Sequence, residues 1–199
     1  MGPGVSAPPL MPPLILASAS PRRLELLGRL GIVPAGVAAA DIDETPLKAE
    51  LPRVYAVRMA REKAVAAARD DAFVLAGDTV VAVGRRILPK AEDEQTAREC
   101  LQLLSGRRHR VFSAVALRAP DGTIREKLNE TQLRFKPLEA AEIAAYLVGS
   151  EWHGKAGGYA IQGSAEALIA WISGSHSGVM GLPLFETRAL LKSAGFTLG

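Results

Sequence analysis

The sequence predicts an α/β domain built on a mixed sheet. Three observations carry this expectation. Short apolar runs alternate with helix-length segments along the chain. Two alternating stretches flank an Asp121-Gly122 turn and read as an antiparallel hairpin. The chain has 199 residues, 48% hydrophobic and 23% charged, enough for one core or one domain with two lobes.

Residues 1–12 read as a flexible Pro/Gly-rich leader, and 13–199 as the folded domain. No Lys or Arg precedes Pro13, and prolines interrupt every apolar segment there, which argues against a secretion signal. Leu14 to Ala17 is the first buried strand. Ser18 to Arg23 is expected as a loop, with a helix from Leu24 to Leu30 stopped by Gly31. Val33 to Ala40 is expected to be extended and to lead into the acidic turn Asp41-Ile42-Asp43-Glu44-Thr45-Pro46. Pro52 opens an Ala-rich helix that runs to about Arg69.

Phe73 to Ala76 reads as a strand. Val80 to Val83 and Arg86 to Leu88 flank Gly84 and are expected to pair. A helix follows from Asp93 to Leu104, closed by Ser105-Gly106. Cys100 shares an apolar helix face with Ala97, Leu101 and Leu104, so it reads as a buried structural thiol. Val111, Ser113, Val115 and Leu117 form one arm of the hairpin, and Thr131, Leu133 and Phe135 the other. Pro137 opens a further helix through Leu147. Ala167 to Ile172 is a late strand, and Leu182 to Lys192 the last helix. Residues 85–150 are expected to form a second lobe, with a cleft between the lobes as the natural ligand site.

Composition excludes several functions. A net charge of +3, with no basic-aromatic stripe, does not suit a nucleic-acid groove. No apolar run is long enough to span a membrane as a helix. One cysteine cannot form an internal disulfide, which points to a reducing, cytoplasmic setting. There is no Walker-type phosphate loop, and the three histidines are scattered.

Five segments carry chemistry. Ser18-Ala19-Ser20-Pro21-Arg22-Arg23 joins a strand to a helix, where backbone N–H groups and two arginines suit phosphate oxygens. Alone, it is equally a plain helix N-terminus. The carboxylates around Glu44 suit Mg²⁺ or Mn²⁺, or are simply a solvated turn. Lys63 has Met59, Ala60, Ala66 and Ala67 at helical spacing, so it emerges from an apolar surface toward a phosphate or snorkels from the core edge. Asp78 and Thr79 interrupt the apolar run Phe73 to Val83, and a buried carboxylate is costly unless paired or metal-bound. Such a residue is expected at a strand end, where catalytic groups of α/β sheets gather. Gln162 sits among the glycines of Gly157-Gly158-Tyr159-Ala160-Ile161-Gln162-Gly163, where an amide can read a base edge.

In this order the segments resemble the Maf family. The resemblance covers Leu14 to about Lys192 and includes Ser-x-Ser-Pro-Arg-Arg, Ala-Arg-Glu-Lys-Ala and Asp-Thr-Val-Val. It continues through Ile-Leu-x-Lys, Leu-Ser-Gly-x-x-His-x-Val, Gly-Tyr-x-Ile-Gln-Gly and Val-x-Gly-Leu-Pro-Leu. It implies a two-lobed fold akin to ITP pyrophosphatases, with an elongated, curved mixed sheet flanked by helices. It implies metal-dependent hydrolysis of a nucleoside triphosphate to monophosphate and pyrophosphate, with Mg²⁺ or Mn²⁺ as cofactor. By position, Asp78 is implied as the catalytic carboxylate, positioning or deprotonating the attacking water, and, with Glu44, as a metal ligand. Ser18, Arg23, Lys63 and Lys90 are implied in phosphate binding. Arg22, Thr79 and Gln162 resemble the set of the dTTP/UTP subgroup, and a homodimer is implied as an option. Two further readings stay open: a nucleotide-binding regulator of septum formation, and a pyrophosphatase for ITP or 7-methyl-GTP. The chain departs from the family pattern at Pro89 and Ala91 beside Lys90, and at Gly154, where an aspartate is common.

Overall fold

The computed structural model describes residues 11–198, so most of the expected leader lies outside the described residues. Strand β1 (Leu14–Ala17) is buried along its whole length and leads into α1 (Pro21–Gly28). The helix therefore begins three residues before the expected Leu24. Pro21 explains the difference: at the first helical position its fixed φ favours the helix and its missing N–H costs nothing. The expected loop thus contributes Arg22 and Arg23 to a first helical turn. The short β2 (Gly36–Val37) is the only paired part of the expected extended segment. Helix α2 (Pro52–Ala66) again has Pro near its start.

Strand β3 (Phe73–Val83) is a single strand of 11 residues. The sequence suggested two strands around a Gly-Asp-Thr break. The break is absent because β6 (Arg108–Arg118) pairs with β3 continuously from Val74 to Ala82. Asp78 is consequently mid-strand, not at a strand end. Next come β4 (Arg86–Ile87), β5 (Lys90–Ala91) and α3 (Glu94–Leu104), whose N-cap Asp93 accepts from the Thr96 N–H. The hairpin of β6 and β7 (Ile124–Phe135) pairs over its full length. Helix α4 (Ala140–Val148) starts from a capping box of Glu139 and Glu142. The chain ends with β8 (Lys155–Ala156), a 3₁₀ turn over Ser164–Leu168, β9 (Ile169–Ser173), α5 (His176–Met180) and α6 (Leu184–Ser193).

The main sheet runs β2-β1-β3-β6-β7-β9, with β4 on β3. Pairing of β1 with β2 and β3 is parallel, and the remaining pairs are antiparallel, so the sheet is mixed as expected. Alternation along β3 feeds two cores. Val74, Ala76, Val80 and Ala82 pack with Tyr55, Met59 and Ala60 of α2. Leu75 and Val81 join the larger core with α1, α3, α4 and α6. Cys100 is buried there, as the helix spacing predicted. Among the described residues, no helix is long and apolar enough to cross a membrane.

His109 is part of this larger packing. Its ring is 2% exposed, stacks on Phe135 and shares a 2.8 Å hydrogen bond with the Tyr159 hydroxyl. Burial pushes its protonation down to about 4 from the ordinary 6.5. The unfolded chain therefore takes up this proton first as pH falls. The stability that the neutral ring confers is complete above pH 6.5 and is lost on the way down to 4. We expect about 2 kcal/mol of unfolding free energy to disappear between about pH 7.5 and 5. Urea unfolding at the two pH values measures it. The slope should flatten in His109→Gln, and an unchanged slope would assign the effect elsewhere.

Candidate active site

The site lies at a notch in the sheet. On one edge of β3, the parallel partner β1 covers Phe73 to Ala76 and the hairpin partner β4 covers Ala82 and Val83. The Leu88 N–H, just past β4, donates to the Val81 carbonyl at 2.8 Å, and neither strand pairs with Gly77 to Val80 on that side. Chain segments from both faces of the sheet reach into this gap. The result is a cleft of about 430 Å³, and all nine sequence-derived candidates line it: Ser18, Arg22, Arg23, Glu44, Lys63, Asp78, Thr79, Lys90 and Gln162.

Asp78 points to the α2 face and is only 5% exposed. Lys63, 8% exposed, comes from the last turn of α2 and donates to Asp78 Oδ1 at 2.7 Å. The same ammonium lies 2.8 Å from Glu44 Oε1, and Lys90 Nζ lies 2.8 Å from Glu44 Oε2. Two carboxylates and two lysines thus form one alternating chain. Removing such charges from water is expensive, so the cluster is weak evidence for stability and better evidence for a charged ligand. Burial raises the Glu44 proton affinity, but bonds from Lys63 and Lys90 outweigh it and hold the group at about 2. Glu44 sits in a segment without regular structure. Tyr55 ties it to α2 by donating to the Glu44 carbonyl at 2.7 Å, and Arg58 does so through Glu50 and the Thr45 carbonyl.

Thr79 is the next residue of the strand and so faces the opposite side, toward Arg23 and α5. Arg23 lies along the strand at Gly77, where a Cβ would sit 3.5 Å from its Nε. Its guanidinium donates to the Gly181 carbonyl at 2.8 Å, to Ser18 Oγ at 3.0 Å and to Thr79 Oγ1 at 3.4 Å. Arg22 donates to the Met180 carbonyl at 3.2 Å. Burial lowers the pKa of both arginines; in Arg23 this outweighs the attraction of Asp78 and Glu44. Ser20 is the residue before α1, yet its side chain makes no cap; the Ser18 hydroxyl accepts the Ser20 N–H at 3.2 Å instead.

Three features escaped the sequence reading. Helix α5 supplies the carbonyls that fix both arginines, and Ser175 caps it by accepting the Gly178 N–H at 2.9 Å. The signal was a serine three residues before a glycine, too short to register as a helix. Ser113 on β6 stands opposite Thr79, is 1% exposed and donates to the Gly178 carbonyl, tying α5 to the sheet. A polar residue in an otherwise apolar strand was the available clue. The β5–β8 pairing that brings Lys155 to the cleft was also not foreseen.

The departures from the family pattern find physical explanations. Lys90 reaches Glu44 despite Pro89 and Ala91, and Ala91 is fully buried beneath it. Gly154 has φ +66°, a left-handed conformation that glycine adopts freely and that aspartate tolerates better than most residues. Glycine therefore meets the same backbone demand.

A cleft with five cationic side chains (Arg22, Arg23, Lys63, Lys90 and Lys155) and two carboxylates suits a small polyanion such as a phosphate chain. The chain belongs to the Maf-like protein family, whose profile matches residues 13–194. It is 71% identical over 186 residues to the dTTP/UTP pyrophosphatase of Novosphingobium aromaticivorans, covering 92% of each chain. It is 62% identical to that of Sphingopyxis alaskensis, covering 95% of this chain and 100% of the other, and 61% identical to that of Rhodospirillum rubrum, covering 94% and 90%. Among solved structures, a nucleoside-triphosphatase (dITP/XTP pyrophosphatase) from Mycobacterium abscessus is a more distant likeness. It shows 18% identity and a TM-score of 0.41, covering 64% of this chain and 74% of the other.

Proposed function

We propose that this chain is a nucleoside triphosphate pyrophosphatase that hydrolyses dTTP and UTP to the monophosphate and pyrophosphate. The observation that carries this reading is the close likeness to dTTP/UTP pyrophosphatases along nearly the whole chain, and the cleft is consistent with it.

Asp78 acts as the general base. It accepts a proton from water, the water oxygen bonds to the α-phosphorus, and the bond from that phosphorus to the bridging oxygen breaks. The electron pair leaves with pyrophosphate. Lys63, held between Asp78 and Glu44, keeps the carboxylate in place and meets phosphate charge as it develops. Arg23, Ser18 and Lys90 supply further donors to the phosphates. Arg22, Thr79 and Gln162 select the base. Only one Arg22 nitrogen is engaged, on the Met180 carbonyl, and Gln162 is exposed to the cleft, so both retain donors for a pyrimidine edge.

A divalent cation, Mg²⁺ or Mn²⁺, fits this donor set. Glu44 and Asp78 already share one cation, the Lys63 ammonium, and two carboxylates plus phosphate oxygens suit such an ion. No group of three or more potential His, Cys, Asp or Glu ligands occurs among the described residues, so phosphate would complete the coordination. When bound, the ion would screen the phosphates and acidify a water. The buried, unpaired Cys100 accords with a reducing cytoplasm.

The test is pyrophosphate release from dTTP, UTP, CTP, 7-methyl-GTP and ITP, with Mg²⁺, with Mn²⁺ and with chelator. We expect dTTP and UTP to be cleaved at least about tenfold faster than the others, a preference of roughly 1.4 kcal/mol in the transition state, with no turnover in chelator. No release from dTTP or UTP would overturn the reading and favour a nucleotide-binding regulator.

A further inference from the structure

Of the five cations in the cleft, Lys63 and Lys90 meet carboxylates, and Arg22 and Arg23 are fixed by carbonyls and hydroxyls. The fifth, Lys155, has no assigned role. Among the described residues, its ammonium donates only to the carbonyl of His153, two residues away, at 2.8 Å. No carboxylate lies within ion-pair distance of it among the described residues. Burial, and then the repulsion of Arg22, lower its pKa. A half-buried lysine beside an arginine, with no counterion among the described residues, is poorly explained by folding alone.

The backbone beneath Lys155 is unusually well seated. Strand β8 pairs with β5, with Ala91 opposite Lys155 and Lys90 opposite Ala156. The Gly154 N–H donates to the Ala91 carbonyl at 2.8 Å, and the Gly157 N–H to the Pro89 carbonyl at 2.9 Å. Gly157 and Gly158 both have positive φ. A Cβ on Gly157 would fall 2.9 Å from Val81, and one on Gly158 would fall 3.0 Å from the Ala97 backbone. Close packing of bare backbone on β3 and α3 thus holds this ribbon still. It presents two lysines, Lys90 and Lys155, to one cleft. Lys155 shares the β5–β8 ribbon with Lys90, a residue read above as phosphate-binding, and both line the cleft that holds Asp78.

We propose that Lys155 is a further phosphate-binding residue, contacting the part of the triphosphate that leaves as pyrophosphate. The bases of dTTP and UTP are neutral at pH 7, so the only anions a bound substrate brings are on its phosphates. A lysine serves these as a point charge. This proposal rests on the pyrophosphatase reading above.

The experiment compares wild type, Lys155→Gln and Lys155→Arg. Calorimetry reads the affinity for pyrophosphate and for dTMP, and steady-state kinetics reads dTTP turnover. Lys155→Gln should weaken pyrophosphate binding and raise KM for dTTP by about tenfold, the scale of one charge-assisted contact, with dTMP affinity and kcat little changed. Lys155→Arg should restore most of both. The side chain is partly exposed, and an unchanged melting temperature separates a lost contact from a damaged fold. Pyrophosphate affinity within twofold of wild type overturns the proposal, as does a loss confined to dTMP. A wild type that fails to cleave dTTP would sink the functional reading, while the pyrophosphate titration would still decide Lys155.

Discussion

Asp78→Asn is expected to lower kcat for dTTP by about 10³-fold, within the range that general-base catalysis contributes. KM should change little. Asparagine has nearly the same shape as aspartate but cannot take a proton from water. Its amide can still accept from Lys63 through its oxygen, and Lys63 keeps Glu44 Oε1 at 2.8 Å. The cleft therefore keeps its cation, and thermal unfolding should move only slightly. The discriminating pair of measurements is kcat and the melting temperature on the same preparation. Activity within tenfold of wild type would remove Asp78 as the base. A collapse of both would make its role structural.

Lys63→Met is expected to be the most damaging single change in the cleft, for a different reason. Among the described residues, Lys63 is the only ammonium that touches both carboxylates. Without it, Asp78 has no ion pair and faces Glu44 across a vacated position. Removing one partner of a buried pair costs about 3 kcal/mol or more, because the remaining charge is left desolvated. Two carboxylates in one site also disfavour double ionisation, which raises the proton affinity of the pair. Relative to wild type, the variant should then recover stability as pH falls below neutrality, an increment opposite in sign to the loss that His109 causes in both proteins. It should also lose dTTP turnover and bind Mn²⁺ without nucleotide more tightly, since the divalent ion can take the vacated place. Urea unfolding at pH 7.5 and 5, with a Mn²⁺ titration, reads all of this. A variant as stable as wild type at neutral pH, with unchanged Mn²⁺ affinity, would show that the charges are not coupled through Lys63.

Much of this site was legible along the chain, and the reasons are local. Lys63 stood out because its helical neighbours are small or apolar, and the structure buries it. Asp78 stood out because it interrupts an apolar run, and the structure pairs it. Pro21 and Pro52 marked helix starts, although the loop expected before Leu24 proved to be the first turn of α1. The hairpin was legible because its two arms alternate around Asp121-Gly122. In contrast, Ser113, the α5 carbonyls and the β5–β8 ribbon act through partners far away in sequence. Ser113 meets Gly178, Arg23 meets Gly181, and Lys155 lies across from Ala91.

The sequence by itself determined which elements form and which side chains carry charge into the interior, because propensity, periodicity and caps act within a turn or two of the chain. It also determined the family, because the order of its short motifs is itself sequence. What the tertiary structure alone decided is the notch. Strand β1 ends at Ala17, β4 begins only at Arg86, and β3 runs on between them because β6 supports its other edge. That gap puts Asp78 and Thr79, adjacent in the chain, on opposite faces of one strand yet at the rim of the same cleft. Lys63 reaches it from one face and Arg23 from the other. Strand ends are set by pairing with neighbours distant in sequence, and no local pattern along β3 records where those neighbours stop.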